Sequence, residues 1–124
     1  MGVKTYFFDS YALVELTKGN PKYIPYIEAQ IVISIFNLVE LTYSVFVDNG
    51  KEIATNTCKK FRECVQDIDE ETIIEAVQFR KEHKKQNLSY ADCIGYLCAK
   101  KQKIPFLTGD EQFRYFENVE FVKA

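Results

Sequence analysis

The stretch that decides the fold is the first apolar run of the chain, Val3-Lys4-Thr5-Tyr6-Phe7-Phe8-Asp9-Ser10. From Val3 to Phe8 it is short, apolar and aromatic, which is typical of a buried β-strand. It stops at Asp9 and Ser10, two residues that favour the start of a helix. The sequence therefore predicts a strand that ends at an acidic residue and leads directly into a helix.

Strand-like and helix-like segments alternate along the rest of the chain. β-branched and apolar runs predict strands, and periodic segments that begin at capping residues predict helices. The further predicted strands are residues 31–35, 104–107 and 119–122, with a brief strand at 66–68. The predicted helices run from residue 10 to about 18 and over 21–29, 36–48, 51–65, 69–86 and 89–101, with a short helix from Asp110.

This alternation determines the predicted fold class. Strands joined through helices favour right-handed crossovers and a parallel sheet covered on both faces. We therefore predict a three-layer α/β/α sandwich formed by one domain over residues 1–124. In such folds ligands bind beyond the carboxyl ends of the strands. Asp9 and Asp110 each follow a predicted strand, so both are expected at that edge.

Four acidic residues are candidates for a site, and three of them also have an ordinary structural explanation as helix caps. Asp9 precedes a helix and can serve as its N-cap. Asp92 completes the capping-box pattern Ser89-x-x-Asp92, and Asp110 lies within a second such pattern, Thr108-x-x-Glu111. No single one of these acids decides whether a site exists.

The fourth acid, Glu40, lies in a helix that is apolar around most of its circumference. Such a helix is expected to be largely buried, so a carboxylate within it is conspicuous. At helical spacing, however, Glu40 shares a stripe with Asn37, Ser44 and Asp48, and this stripe can simply face water. Both interpretations stay open at this point.

Taken together, the four acids indicate metal chemistry. Carboxylates that are brought together repel one another unless cations neutralise them, and oxygen ligands suit Mg²⁺ or Mn²⁺. The four cysteines lack C-x-x-C spacing and have no histidine near enough to complete a zinc site. We interpret them as structural thiols of a protein in a reducing compartment.

Charge and hydropathy exclude other classes of protein. The formal net charge of −2 argues against a protein that coats nucleic acid by bulk positive potential. Two basic segments, residues 80–85 and 100–103, can still meet phosphates, although charged helix ends are usually only solvated. Without a signal-peptide pattern or an apolar run of ~20 residues, the protein is expected to be cytoplasmic.

The order of elements and acids resembles the PIN domain, the fold of the VapC-type toxins of toxin–antitoxin systems. The resemblance covers essentially the whole chain. It rests on four segments, FFDS at 7–10, ISIFNLVEL at 33–41, LSYAD at 88–92 and PFLTGDEQF at 105–113.

The resemblance implies a ribonuclease that hydrolyses RNA phosphodiester bonds with Mg²⁺ or Mn²⁺. It implies a catalytic set of Asp9, Glu40, Asp92 and Asp110, all four as metal ligands, with Thr108 as a supporting polar group together with the small Ser10 beside Asp9. Two metal ions can activate the attacking water and stabilise the leaving oxygen, so no catalytic histidine is needed. The resemblance also implies a homodimer and an antitoxin partner, for which Tyr11, Tyr23, Tyr26 and Phe46 are candidate contacts.

Other α/β functions fit the sequence less well. A phosphoryl-accepting receiver domain needs adjacent acids near the first strand, where this chain has only Asp9. A haloacid-dehalogenase-type phosphatase needs a second aspartate two positions later, where the chain has Tyr11. A PIN fold that binds RNA or protein without catalysis remains the alternative.

Overall fold

A computed structural model describes residues 2–124 of the chain. Its centre is a four-stranded parallel sheet in the order β2-β1-β3-β4. The strands are β1 (Thr5–Phe8), β2 (Gln30–Val32), β3 (Phe106–Thr108) and β4 (Val119–Phe121). The most apolar strand of the sequence, β1, pairs with both β2 and β3 and is therefore protected on both edges.

The strands are connected mainly by α-helices, and short 3₁₀ helices complete the connections. The α-helices are α1 (Ser10–Thr17), α2 (Ile35–Asn49), α3 (Lys51–Arg62), α4 (Glu70–Glu82) and α5 (Tyr90–Gln102). The 3₁₀ helices are Pro21–Tyr26, Lys84–Gln86 and Glu111–Phe113. No helix within residues 2–124 is long and apolar enough to cross a membrane.

Side-chain alternation along β1 creates two cores, one on each face of the sheet. Tyr6 and Phe8 pack with buried residues of α1, α2 and α3. Phe7 points to the opposite face, where it packs with Phe106 and with buried residues of α4 and α5. Because successive strand residues face opposite sides, one aromatic strand anchors both helical layers. The predicted three-layer α/β sandwich is confirmed.

Several predicted elements and boundaries differ from the structure. The segment 21–29 forms a 3₁₀ helix over Pro21–Tyr26, because Pro25 has no N–H to continue an α-helical ladder. The brief strand at 66–68 is absent, and the only pairing there in the described chain is an isolated parallel bridge between Ile33 and Val65. Helix α4 ends at Glu82, four residues earlier than predicted.

Gly109, directly after β3, lies where no side chain fits. A Cβ atom at this position would lie 2.4 Å from the carbonyl oxygen of Val122 and 2.3 Å from the Tyr11 ring. Such contacts force the backbone or the ring to shift. The glycine therefore allows the segment after β3 to pass close to α1 and to the end of β4.

We expect Gly109→Ala to lower the free energy of unfolding by about 1–3 kcal/mol, because overpacking at a rigid contact costs this much. Gly2→Ala is the matched control, since a Cβ at Gly2 meets nothing within 4 Å. Urea denaturation followed by circular dichroism measures both variants. Equal stability of the two alanine variants would contradict the close packing at Gly109.

Candidate functional site

Asp9 is a buried carboxylate at the carboxyl end of the central strand. Its side chain follows β1 and is only 4% exposed. One carboxylate oxygen accepts the Ser10 backbone N–H at 2.8 Å, so Asp9 is the N-cap of α1. The other accepts the Thr108 hydroxyl at 2.8 Å. Both oxygens thus have protein partners.

Thr108 connects Asp9 to Asp110. It is fully buried at the end of β3, the neighbour of β1. Its hydroxyl donates to Asp9, and the same oxygen accepts the Asp110 backbone N–H at 3.0 Å. Asp110 in turn caps the 3₁₀ helix Glu111–Phe113 through one carboxylate oxygen, which accepts the Gln112 N–H at 3.0 Å. The parallel pairing of β1 and β3 therefore brings these two acids to one edge.

Glu40 reaches the same region from α2. It is exposed, and its carboxylate accepts a hydrogen bond from the Ser10 hydroxyl. Ser10 is the residue next to Asp9, so this bond ties Glu40 to the beginning of α1. Of the stripe considered in the sequence, Glu40 and Asp48 face solvent and Ser44 is half-buried.

Asn37 is the residue of the site that sequence reasoning did not identify. It is buried, and its side-chain amide donates to the Ser10 hydroxyl oxygen at 3.0 Å. Its carbonyl oxygen accepts from both the backbone N–H and the hydroxyl of Ser34 at 2.9 Å, in the capping box that begins α2. The Ser34-x-x-Asn37 spacing, which is typical of a capping box, is the feature of the sequence that could have identified Asn37. Asn37 fixes the orientation of Ser10 and, through it, that of Glu40.

Asp92 lies in the first turn of α5 and is half-buried. It forms the predicted capping box, in which one of its oxygens accepts the Ser89 N–H at 2.9 Å and its own N–H donates to the Ser89 hydroxyl at 3.0 Å. The cap engages one carboxylate oxygen. The second oxygen of Asp92 has no hydrogen-bond partner among residues 2–124.

The pKa shifts indicate that the four acids share one electrostatic environment. Burial, the largest cause, and the charges of Asp92 and Asp110 together raise the pKa of Asp9 to about 7, and the hydrogen bonds from Thr108 and Ser10 oppose this rise. Burial also raises the pKa of Asp92, where the charges of Asp110 and Glu40 contribute. Every member of the set therefore interacts with at least one other.

The donor chemistry of this set fits a hard divalent cation. All donors are carboxylate oxygens, and neutralising their mutual repulsion favours cation binding. Within residues 2–124, no three side chains of His, Cys, Asp or Glu lie close enough together to enclose a metal ion by themselves. Mg²⁺ fits such an open arrangement, because it retains several waters and takes one or two protein carboxylates.

The structure places all five sequence-selected residues, Asp9, Glu40, Asp92, Thr108 and Asp110, along this edge of the sheet. Capping explanations also apply to three of the acids, since Asp9, Asp92 and Asp110 each accept a backbone N–H at the start of a helix. The cysteines are free thiols. Cys93 and Cys98 are buried and Cys58 and Cys64 half-buried, and Cys93 directly follows Asp92 in α5.

Comparison with solved structures shows similarity over nearly the whole chain. A toxin–antitoxin complex from Klebsiella pneumoniae matches with a TM-score of 0.77 and 19% identity, covering 97% of this chain and 100% of the other. VapC20 of Mycobacterium tuberculosis, a toxin that cleaves the sarcin–ricin loop, matches with a TM-score of 0.75 and 16% identity, covering 97% and 98%. VapBC2 of Rickettsia felis, bound to promoter DNA, matches with a TM-score of 0.69 and 19% identity, covering 96% and 98%.

These identities establish similarity of fold. No curated protein sequence matches the chain. The family model of the PIN domain matches residues 6–119, from the middle of β1 to the first residue of β4. This match includes all of the acids described above, and the chain therefore belongs to the PIN domain family.

Proposed function

We propose that the protein is a metal-dependent endoribonuclease that hydrolyses RNA phosphodiester bonds. The observation that carries the proposal is the shared field of Asp9, Asp92, Asp110 and Glu40 at the carboxyl edge of a PIN-fold sheet. Clustered carboxylates repel one another and destabilise the folded protein unless a bound cation neutralises their charge. The relative that cleaves the sarcin–ricin loop supports RNA as the substrate class.

In this proposal Asp9 and Asp92 hold the first cation, Mg²⁺ or Mn²⁺, and Asp110 contributes to a second site through water. When bound, the cations would supply charge stabilisation and a more acidic attacking water. Glu40, exposed and oriented by Ser10, would be a ligand or would accept a proton from the attacking water. Thr108 is a positioning residue, because its hydroxyl fixes the Asp9 carboxylate and the Asp110 backbone.

We further propose that the nuclease is the toxin of a toxin–antitoxin pair, as in the VapBC-type relatives. A groove of about 470 Å³ lies between α2, α4, α5 and the segment 65–68. It is lined by four isoleucines, Phe36 and Val65, together with the polar side chains of Arg62, Gln66 and Asp67. This apolar groove suits side chains of an antitoxin segment. Of the aromatic residues proposed for such contacts, Tyr23 is fully buried in the core and only Phe46 is largely exposed.

The exposed face of α2 supports a homodimer. The helix was expected to be largely buried, but six large apolar side chains face solvent at helical spacing. These residues, which we call the α2 stripe, are Ile35, Phe36, Val39, Tyr43, Phe46 and Val47. Ile35 and Phe36 also line the groove proposed for the antitoxin, so the dimer is proposed on the remaining four. Monomeric proteins seldom expose a continuous apolar patch of this kind, and a single stripe can pair with its own copy across a two-fold axis.

Replacing either proposed first ligand tests the activity. Asp9→Asn or Asp92→Asn is expected to lower Mn²⁺-dependent cleavage of single-stranded RNA by about 100-fold or more, because the cation loses a charged ligand. Asparagine can still accept the capping hydrogen bonds, so the fold should persist. Asp48→Asn, an exposed acid near the far end of α2, is the control. Full cation-dependent activity in both ligand variants would contradict the assignment, and RNA binding without any cleavage by the unmodified protein would favour a non-catalytic subunit.

The raised pKa of Asp9 makes the metal-free protein less stable as the pH rises. Because the folded-state pKa of about 7 exceeds the ordinary value of 3.8, the folded protein binds more protons between these limits. The free energy of unfolding is therefore expected to fall by a few kcal/mol across this range. Mn²⁺ should oppose the loss, since it binds the ionised site.

Thermal unfolding at about pH 5 and about pH 8, with a chelator or with Mn²⁺, measures this effect. Asp9→Asn is the matched variant, and its stability should change less with pH. A metal-free protein that becomes more stable from the lower to the higher pH through Asp9 would contradict the described environment of this carboxylate.

The proposed dimer is tested on the α2 stripe. Val39→Asp should convert a particle of about 29 kDa, twice the 14.5 kDa of the chain, into a monomer without unfolding it, because a charge would be buried at the interface. Tyr115→Asp is the control, because Tyr115 is exposed but outside the stripe. Light scattering after size-exclusion chromatography gives the masses. A monomeric unmodified protein, or a dimer that tolerates Val39→Asp, would contradict this interface.

A further inference from the structure

Two basic segments lie near helix ends, and their ion pairing differs. Lys100 forms a salt bridge with Glu117 at 2.7 Å, and Lys101 forms salt bridges with Asp69 and Glu71 at 3.4 and 3.3 Å. In the segment Arg80–Lys85, by contrast, no cation takes part in a salt bridge with any residue of 2–124. The positive charge of Arg80–Lys85 is therefore available to a ligand.

The free basic segment lies at the same end of the molecule as Asp92. It covers the end of α4 and the short 3₁₀ helix Lys84–Gln86, and three residues later the chain begins α5, which carries Asp92 in its first turn. Packing of His83 fixes the position of this segment, because the His83 ring stacks on the Phe79 ring with 4.0 Å between their centroids. The basic side chains of this segment thus lie beside the acidic edge, on a backbone whose position is fixed by packing.

Tyr90 is an exposed aromatic ring between this basic segment and the acids. It is the first residue of α5, two residues before Asp92, and it is 56% exposed. The Arg80 guanidinium lies over its ring, 4.2 Å from the centroid. Arg80 is itself fixed, because its Nε donates to the Leu88 carbonyl oxygen at 2.9 Å. The ring and the guanidinium form a pre-ordered, solvent-accessible surface.

A small cavity continues this surface toward the lysines. It has a volume of about 70 Å³ and is lined by Arg80, His83, Lys84, Asn87 and Leu88. Its lining combines cations with a side-chain amide, which suits an anionic oxygen group. In a single-stranded nucleic acid, bases alternate with phosphates. An aromatic ring next to a basic cavity suits such a strand, because the ring can stack on a base while the cavity takes the neighbouring phosphate.

We propose that Tyr90 and Arg80 form a stacking platform for one base of single-stranded RNA, and that Arg80 and Lys84 contact the adjoining phosphate, beside the acidic edge. This inference rests on the proposed nuclease function, since it names the surface that guides the strand to the acids. Stacking on an aromatic ring tolerates any base, so the platform gives affinity for unpaired strands rather than sequence readout. A paired base cannot stack in this way without being unstacked from its duplex.

The absence of tryptophan from the chain allows a direct optical test. Tyr90→Trp places a single indole on the platform, and Ile53→Trp places one on α3, on a residue of similar exposure at 50%, near the far ends of α1 and α2. Both are made in an Asp92→Asn background and titrated, without divalent cations, with an adenosine oligoribonucleotide. We expect quenching of the emission at position 90 and none at position 53. Equal behaviour of the two indoles would overturn the platform.

Affinity provides a second measurement. Loss of the ring in Tyr90→Ala should weaken binding of the same oligonucleotide by about fivefold to about 150-fold, the range known for one stacked base, whereas Tyr90→Phe should keep it within about twofold. Lys84→Ala with Lys85→Ala should reduce the slope of log affinity against log salt by up to about 1.4. The control pair Lys100→Ala with Lys101→Ala should leave that slope unchanged. Unchanged affinity in Tyr90→Ala, or equal slopes in the two lysine pairs, would overturn the proposal.

These measurements separate the platform from the nuclease. If the unmodified protein cleaves RNA but Tyr90→Ala has an unchanged KM and the indole at position 90 is not quenched, the platform is refuted and the nuclease stands. If the indole is quenched but no cleavage occurs with any divalent cation, the platform is supported and the nuclease is refuted.

Discussion

The buried carboxylate of Asp9 is the constraint on which the acidic edge depends. A charge at the end of a central strand is costly unless hydrogen bonds or a cation compensate it. The Thr108 hydroxyl and the Ser10 N–H supply two hydrogen bonds, and burial still holds the pKa of Asp9 at about 7. Because Thr108 also receives the Asp110 N–H, the compensation of one acid fixes the position of the next. The parallel pairing of β1 and β3 therefore determines both the core and the arrangement of the acids.

Capping and metal binding do not compete at this edge. A helix begins with backbone N–H groups that lack partners in the helix, and a carboxylate satisfies them best while its charge faces the positive end of the helix dipole. Asp92 and Asp110 each give one oxygen to a cap. The capping hydrogen bond fixes the rotamer of the side chain. It therefore also fixes the direction of the second carboxylate oxygen, which the cap does not use. Residues explained completely as caps in the sequence can thus be pre-oriented ligands in the fold.

The fold and the placement of the acids were largely predictable, and the failures have physical causes. The FFDS and TGD segments carry strand and capping signals that depend only on local sequence, and both lie where expected. The role of Asn37 was not predicted, because the polar stripe on α2 indicates only a periodicity. The burial of Asn37 depends on its contact with Ser10, which is distant in the sequence. The exposure of the α2 stripe was also missed. Periodicity predicts that a helix has an apolar face that needs to be buried. It does not predict whether that face packs against the same chain or against another chain.

Charge distribution reconciles an acidic protein with an anionic substrate. The net charge of −2 disfavours long-range attraction of RNA, and the four acids repel phosphate most strongly where cleavage is proposed. In the proposed nuclease, cations bound by the acids would reverse that local repulsion, while salt bridges neutralise Lys100 and Lys101. The segment Arg80–Lys85 keeps its positive charge beside Asp92. In the proposed nuclease, the attraction of this segment, which needs no cation, and the cation-dependent attraction at the acids would thus act on an RNA strand at the same edge of the sheet.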